Sequence, residues 1–259
     1  GTNTIDNSKL TFENGSSLNG NNIFSNASEL VINGGTNTSS DSKIVLNDTS
    51  SMSLNGADLT LNSQISGSAK INNNLTGTFT VTGDNSAFSG NYTQTSSITV
   101  VDGGIFFGGT NTINGGSVEF VNNATLAGTN EIGDAVMTIN NGTKYHGGTS
   151  VNLNNSNAKL VLNNSDTSNS MKIDGLTITG TDGTVRKTGK GTLDVSSKLS
   201  DLTNSIEEGR LNMMTGSTLA GSNIIKNGAE LVINDGVNKG SSTVTLEDGS
   251  VSVSYTHLT

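Results

Sequence analysis

The feature that most constrains this chain is an internal repeat. Residues 15–35 read GSSLNGNNIFSNASELVINGG and residues 216–236 read GSTLAGSNIIKNGAELVINDG, so 13 of 21 positions are identical without a gap. A third copy begins at residue 109, where GTNTI repeats the first five residues of the chain. Each copy is long enough to hold several strands, which is typical of a solenoid, a propeller or a tandem array of domains.

Short apolar runs with a period of two residues recur along the whole length. Examples are Leu30-Val31-Ile32, Leu59-Thr60-Leu61, Ile98-Thr99-Val100 and Leu160-Val161-Leu162. This alternation indicates β-strands with one buried face. Many runs end in Asn or Gly, and these residues bend the chain at low steric cost because they tolerate positive φ. The pattern therefore predicts an all-β fold of short strands and tight corners.

Composition separates the three repeat architectures. Aromatic residues make up only 4% of the chain, which disfavours propeller blades, and no stretch has the composition of a linker between sandwiches. A β-solenoid needs only small apolar residues inside each turn, and Asn amides stacked on successive turns can hydrogen-bond along a ladder. The absence of Pro suits this arrangement because Pro would remove a ladder hydrogen bond. Hydrophobic residues reach only 31%, so a disordered low-complexity chain is the alternative.

We expect one elongated β-helix fragment over residues 1–251. Its repeat copies span about 1–108, 109–208 and, incompletely, 209–251, while residues 252–259 depart from the pattern as a tail. One segment does not read as strand. From Ser197 to Glu208, apolar residues stand at i, i+3 and i+7, so a short helix and an irregular coil remain as alternatives there.

Composition also excludes several functional classes. The chain has no Cys, so it holds neither disulfides nor a Cys-based site. Only two His and a net charge of −9 with 13 Lys and Arg disfavour His-based catalysis and nucleic-acid binding. No apolar run has the length of about 18 residues that a membrane helix needs, so we expect no membrane contact within this segment.

Two stretches resemble the autotransporter-associated β-strand repeat of bacterial type V passenger domains. They are residues 79–108, FTVTGDNSAFSGNYTQTSSITVVDGGIFFG, and residues 185–211, VRKTGKGTLDVSSKLSDLTNSIEEGRL. The second stretch contains the K-x-G-x-G-x-L element as Lys187, Gly189, Gly191 and Leu193, and the G-x-L element as Gly209-Arg210-Leu211. The first stretch lacks the Lys, and residues 197–208 depart from the family pattern. The two stretches cover about 60 residues of a degenerate motif.

The resemblance implies a right-handed parallel β-helix at the surface of a Gram-negative outer membrane, or released from it. It implies an adhesive or structural role rather than catalysis, with a C-terminal translocating barrel outside this chain. The expected partner is a surface receptor, a glycan or a second copy. The chain begins at Gly1 without Met or an apolar leader, so we expect an internal fragment.

Individual motifs gave no site assignment. Residues 187–192, KTGKGT, lack the spacing of a phosphate-binding loop and read better as a strand with glycine turns. Tyr145-His146 stands without a second His nearby. Asp102-Gly103-Gly104 and Asp182-Gly183 do not repeat in tandem as calcium-binding nonapeptides do. We therefore expect no catalytic residue, cofactor or metal.

The alternative function is a β-helix enzyme acting on carbohydrates, or a phage tail-fibre segment. Such an enzyme needs carboxylates and a base brought together across turns. The single carboxylates that stacking could gather are Glu13, Asp48, Asp58 and Glu119. A groove holding three or more acidic and basic side chains would favour the enzyme, and a uniformly polar wall would favour the structural role.

Overall fold

The computed structural model describes residues 1–35, 37–47, 49–199, 202–226, 228–234, 237–238 and 242–255. The regular elements of these residues are all β-strands, with no helix among them. The chain divides into two compact units, Gly1–Glu131 and Ile132–Thr259. The units together contain about 12 turns of parallel strands, which confirms the prediction of an all-β parallel solenoid. Right-handed winding stays a prediction.

The strands of the first unit are β1 (Thr2–Asp6), β2 (Lys9–Phe12), β3 (Ser17–Leu18), β4 (Asn21–Ser25), β5 (Glu29–Asn33), β6 (Asn37–Thr38), β7 (Lys43–Leu46), β8 (Ser51–Asn55), β9 (Leu59–Leu61), β10 (Gln64–Gly67), β11 (Lys70–Asn73), β12 (Thr78–Val81), β13 (Asn91–Gln94), β14 (Ile98–Asp102), β15 (Thr110–Ile113), β16 (Ser117–Val121) and β17 (Thr125–Leu126). β18 (Thr129–Ile132) lies at the boundary of the two units.

The strands of the second unit are β19 (Val136–Asn140), β20 (Lys144–Tyr145), β21 (Ser150–Leu153), β22 (Lys159–Asn163), β23 (Met171–Ile173), β24 (Thr177–Gly180), β25 (Thr184–Thr188), β26 (Thr192–Val195), β27 (Lys198–Leu199), β28 (Thr203–Ile206), β29 (Arg210–Met213), β30 (Thr218–Leu219), β31 (Ser222–Ile225), β32 (Glu230–Asn234), β33 (Val237–Asn238), β34 (Thr243–Leu246) and β35 (Val251–Tyr255).

Three parallel sheets form the walls of the first unit. Their strand orders are β1-β4-β7-β10, β2-β5-β8-β11-β13-β15 and β3-β6-β9-β12-β14-β16. The first sheet ends at β10, where the Asn85 side-chain oxygen accepts the Ile65 N–H at 2.8 Å. A side-chain amide thus replaces the hydrogen bond that a further strand would make.

The second unit has its own three stacks of parallel strands. Their orders are β19-β22-β25-β28-β31-β34, β21-β24-β27-β30-β33 and β23-β26-β29-β32-β35. In a parallel stack each backbone N–H and C=O of one turn pairs with the neighbouring turn, which is why short strands suffice. For example, Leu160 of β22 lies beside Met137 of β19 and Val185 of β25.

Alternating side chains fill the interior, as the sequence pattern predicts. In β16, Val118 and Phe120 point inward and are fully buried, whereas Glu119 between them is not. Burying a side chain of this size stabilises the fold by about 1.5–3 kcal/mol. The first unit also concentrates its aromatic rings in one interior cluster, made of Phe79, Phe88, Tyr92, Phe106, Phe107 and Phe120.

Buried Asn pairs confirm that amides hydrogen-bond from turn to turn. Asn111 donates its side-chain N–H to the Asn130 oxygen at 3.1 Å, and both residues are fully buried. Two further pairs recur at the repeat spacing, 2.9 Å apart for Asn3, which is exposed, with Asn22, and 2.8 Å apart for Asn204 with Asn223. In every pair the two residues are 19 positions apart.

The repeat copies do not occupy equivalent walls. Strand β1 begins the first copy and pairs with β4, whereas its counterpart β15 begins the second copy in the sheet that contains β2. Likewise β2 corresponds in sequence to β16, which lies in the sheet of β3. The length of one repeat therefore corresponds to a whole number of turns plus one further wall, so the second copy begins one wall later than the first.

The helix considered over residues 197–208 was wrong, and the described residues of this segment are two short strands with irregular backbone beside them. The segment contains β27 and β28, and Leu199, Leu202 and Ile206 are all buried. Their helix-like spacing spans two short strands that belong to different sheets, and side chains from both strands lie in the core. Residues 200 and 201 lie outside the described residues.

The expected tail is partly a strand. Residues 252–255 belong to β35, which pairs in parallel with β32 so that Ser252 lies beside Leu231. Residues 256–259 lie outside the described residues. Period-two alternation is present here as Val251, Val253 and Tyr255, with Ser at the positions between them.

Candidate functional site

The KTGKGT segment lies at a corner of the second unit. β25 ends at Thr188 and β26 begins at Thr192, so the intervening glycine turn joins two strands, as the sequence indicates. Lys187 occupies a core position of β25, in register with Leu162 on one neighbouring turn and Ile206 on the other. The residue is only 2% exposed, although lysine is rarely found inside a protein.

Backbone carbonyls hold the buried ammonium group of Lys187. Its Nζ donates to the oxygens of Thr188 at 2.9 Å, of Gly189 at 2.5 Å and of Glu208 at 3.0 Å. These contacts use all three ammonium protons. Burial lowers the pKa of Lys187 to about 8, and the nearby Glu208 charge opposes that shift. Because Glu208 lies on the next turn, the ammonium ties two neighbouring corners together.

The glycines of this segment are required by close packing. Gly189 has φ +75°, a left-handed conformation that suits a residue without Cβ. A Cβ on Gly191 would lie 2.1 Å from the Asp166 carbonyl oxygen and 2.6 Å from the Asn164 side chain. The K-x-G-x-G spacing therefore encodes a buried cation and two tight backbone approaches. The Lys187 protons are committed to carbonyls, so this lysine does not offer them to a phosphate group.

A charged groove of about 400 Å³ lies over this corner. It is lined by Thr188, Gly189, Glu207, Glu208 and Lys226. Arg186 donates to both carboxylate oxygens of Glu207, with 2.9 Å between Nε and Oε1, and Lys226 pairs with Glu247 at 3.1 Å.

The ion pair between Arg186 and Glu207 fixes the protonation state of Glu207. The hydrogen bond from Arg186 lowers the pKa of Glu207, and the same bond raises the pKa of Arg186. Glu207 therefore stays ionised at neutral pH and is a poor proton donor. Each ion pair joins residues 21 positions apart, so the pairs link one turn to the next.

A second groove, of about 490 Å³, lies in the first unit. It brings together Glu13 and Asp58, two of the four carboxylates singled out from the sequence. The Asn33 amide donates to Glu13 at 2.8 Å, and Asp58 accepts the Thr78 backbone N–H at 2.6 Å. Both carboxylates are thus engaged with neighbouring turns. Glu119 lies on β16 of the same unit, and Asp48 lies outside the described residues.

The two Asp-Gly motifs lie in different units and are engaged locally. Asp102 accepts the Asn122 amide at 2.7 Å, and Asp182 accepts the Thr181 hydroxyl at 3.2 Å. Within the described part of the chain, no group of three or more His, Asp or Glu side chains is placed to hold a metal ion.

The lone His of the repeats stands at an exposed turn. His146 is exposed, and its backbone oxygen accepts the Thr149 N–H at 3.1 Å. The neighbouring Tyr145 is half-buried in β20, and burial of its hydroxyl raises its pKa. Nothing in this turn brings a second titratable group to the imidazole among the hydrogen bonds that the structure describes.

Sequence analysis missed a buried polar network in the first unit. Asn73 donates to the Tyr92 hydroxyl and to the Ser97 hydroxyl, both at 2.8 Å. The Thr99 hydroxyl donates to Gln94 at 2.6 Å, and the Gln94 amide donates to the Ser97 carbonyl, also at 2.8 Å. Burial raises the pKa of Tyr92. The available signal was alternation itself, because Tyr92 and Gln94 share the inward face of β13.

Searches of family models, curated proteins and solved structures found no match to this chain. In the part of the chain that is described, no helix has the length and apolar character to cross a membrane.

Proposed function

We propose that this chain is an extracellular structural and adhesive segment of a bacterial autotransporter passenger. It would be presented outside a Gram-negative outer membrane, where its surface contacts a host cell or another bacterium. Two kinds of observation support this proposal: the repeat motif of residues 185–211 and the parallel solenoid that the chain forms.

The observation that carries the adhesive role is a nearly uncharged stretch of one wall of the first unit, formed by β8, β11, β13 and β15. Its outward side chains on four successive turns are Ser51, Ser53, Asn55, Lys70, Asn72, Asn91, Thr93, Thr110 and Thr112, and Lys70 is the one charge among them. None of these residues is buried. The turns present them at the inter-strand spacing of about 4.8 Å.

Such a wall suits an uncharged glycan. Amides and hydroxyls both donate and accept hydrogen bonds, as sugar hydroxyls do. Each contact exchanges one hydrogen bond with water for another and is therefore weak. Repetition along the wall, and along many copies on a cell, raises the effective affinity without a single strong site.

The structural role follows from polar links between turns. Among the described residues, Asn amides donate to carboxylates of the preceding turn, the donors including Asn26, Asn33, Asn122 and Asn212. Ion pairs such as Lys9 with Glu29 and Arg210 with Glu230 make the same kind of link. These contacts hold the turns in register while the surface stays polar.

The carbohydrate-active enzyme is the second candidate, because the groove over Lys187 gathers Glu207, Glu208 and Lys226. A glycosidase needs one carboxyl group that keeps its proton near neutral pH. Arg186 lowers the pKa of Glu207, which is the opposite shift. The charges in this groove are better explained as links between turns, so we prefer the adhesive role.

Binding of beads coated with the purified chain tests the proposal. The beads are presented with cultured cells and with an array of neutral and acidic glycans. Thr93→Glu with Thr112→Glu alters a register pair on the uncharged wall, and Thr60→Glu with Thr80→Glu is the matched pair on another wall of the same unit. We expect the first double variant to lose at least about tenfold in bead retention and the second to retain it.

Failure of the unmodified chain to bind any cell or glycan, or equal loss in the two double variants, would contradict the adhesive role. Release of new reducing ends from a glycan would instead support the enzyme.

A further inference from the structure

The three-residue corner at the end of residues 29–35 and of their equivalents differs at its middle position in each repeat copy. Residues 29–35 end in Asn33-Gly34-Gly35, residues 136–142 end in Asn140-Asn141-Gly142, and the equivalent letters of the third copy are Asn-Asp-Gly at 234–236. The middle position is therefore Gly34, Asn141 and Asp235 in turn. Two of these copies contain the dipeptide Asn-Gly, but at positions that differ by one residue.

In the second copy the Asn-Gly pair lies at the tip of a turn. The Asn141 N–H donates to the Asn163 oxygen at 2.9 Å, and the Thr143 N–H closes the turn onto the Asn140 oxygen at 3.1 Å. Gly142 has φ +89°, which this type of turn requires at its third residue. Asn141 and Gly142 are exposed, and neither the Asn141 amide nor the Gly142 N–H has a partner among the described residues.

In the first copy the Asn-Gly pair is held by the ladder. The Gly34 N–H donates to the Asn55 oxygen at 2.7 Å, and the Asn33 amide donates to Glu13 at 2.8 Å. A Cβ on Gly34 would lie 2.9 Å from the Asp58 oxygen, so the backbone here is packed against the next turn. The same dipeptide is thus immobilised in one copy and free at its reacting atoms in the other.

We propose that Asn141 is a site of spontaneous deamidation. The Gly142 backbone nitrogen loses its proton and attacks the Asn141 side-chain carbonyl carbon, and the side-chain nitrogen leaves as ammonia. Water then opens the five-membered imide at either carbonyl, which yields an aspartate or an isoaspartate. No other reactant is needed.

The sequence of the third copy has Asp235 at the equivalent position, so we expect the corner to accept the product. Each event adds one negative charge to the polar surface of the second unit. The proposal does not depend on the adhesive role.

Timed peptide mapping of the full chain tests the site. The folded chain is incubated in mildly alkaline buffer and digested, and the conversion of amide to acid is measured at each Asn-Gly by mass spectrometry, with isoaspartyl methyltransferase labelling as a second readout. We expect Asn141 to convert and Asn33 to convert at least about tenfold more slowly, since its reaction requires local opening of the ladder. In urea the two sites should convert at similar rates.

Two variants complete the test. Asn141→Gln should abolish conversion in that peptide, and Asn141→Asp should give the circular dichroism and melting temperature of the unmodified chain. Equal rates at Asn33 and Asn141 in the folded chain would overturn the proposal. So would an unchanged Asn141 after the time in which the urea-treated chain converts.

Discussion

The buried ammonium of Lys187 makes the stability of the second unit depend on pH. Its pKa falls from 10.5 to about 8 on folding because burial penalises the charge. Below pH 8 both the folded and the unfolded chain hold the proton, so this residue adds no pH dependence. Between pH 8 and 10.5 only the unfolded chain holds it, and the free energy of unfolding therefore rises with pH.

The size of this effect follows from the two pKa values. One pKa unit corresponds to about 1.4 kcal/mol, so a shift from 10.5 to about 8 gives a total rise of about 3 kcal/mol. Most of this rise is complete by pH 10. Above that pH the buried tyrosines act in the opposite direction, because Tyr92 and Tyr145 have raised pKa values and ionise more readily in the unfolded chain. We expect maximal stability near pH 10.

Urea unfolding followed by far-ultraviolet circular dichroism measures this dependence at a series of pH values. Lys187→Met removes the titrating group, and its unfolding free energy should no longer rise between pH 8 and 10. Lys190→Met is the matched control, since Lys190 is exposed on the same corner, and it should keep the rise. The slope with pH decides the test, because Met also leaves three carbonyls without their donor and so shifts the absolute stability.

Two results would refute the reasoning. An unmodified chain whose unfolding free energy is flat between pH 8 and 10 would show that the ammonium is not penalised by burial. A Lys187→Met variant that keeps the full rise would show that another group titrates in this range.

Three further predictions address the interior. Asn130→Ala removes one acceptor of the Asn111 amide and one donor to the Ala127 carbonyl and should cost about 3 kcal/mol in urea unfolding, whereas Asn114→Ala at an exposed corner should cost less than about 1 kcal/mol; equal costs would contradict the pairing. Gly191→Ala places a Cβ 2.1 Å from a backbone oxygen and should lower the melting temperature. Gly147→Ala is the control, because a Cβ there meets nothing within 4 Å and should leave the melting temperature unchanged. An unchanged melting temperature in both variants would argue against the close approach at Gly191. Because burial raises the pKa of Tyr92, absorbance at the phenolate band should show that it ionises only as the chain unfolds, and its ionisation in a folded chain near pH 10 would contradict its burial.

The strands were predictable because their alternation is a direct consequence of a buried and an exposed face. The inward position of Lys187 was also present in the pattern, since Val185 two residues earlier faces the core in the same strand. Sequence reasoning expects a lysine to face water, and only the carbonyls of Thr188, Gly189 and Glu208 explain the exception. Those three acceptors come from two turns, so the motif alone does not show that they meet.

The segment 197–208 could not be predicted for a related reason. Its strands β27 and β28 contain only two and four residues. Alternation over so few residues cannot be distinguished from the helix-like spacing of the apolar residues in this segment. What holds such short strands is pairing with the turns on either side, as between Leu199 and Leu219. Because these pairing partners lie about 20 residues away in the sequence, the residues of the segment itself do not reveal the pairing. The grooves escaped prediction for the same reason, since Glu13 and Asp58 stand on different turns.

The repeat and the turn have different lengths, and only the turn must return the chain to the same wall. If the whole repeat were the unit that must stack, β1 and β15 would lie in the same sheet of the first unit, but they lie in different sheets. What every copy keeps is the separation of 19 residues between paired Asn residues. Parallel strands about 4.8 Å apart require each turn to return to its start. The number of residues in a turn can vary, since paired positions are 19 residues apart between β1 and β4, 23 between β19 and β22 and 27 between β21 and β24. A shift of a repeat copy from one wall to the next does not disrupt the strand pairing, because the strands of every wall present the same alternation of inward and outward side chains to the next turn.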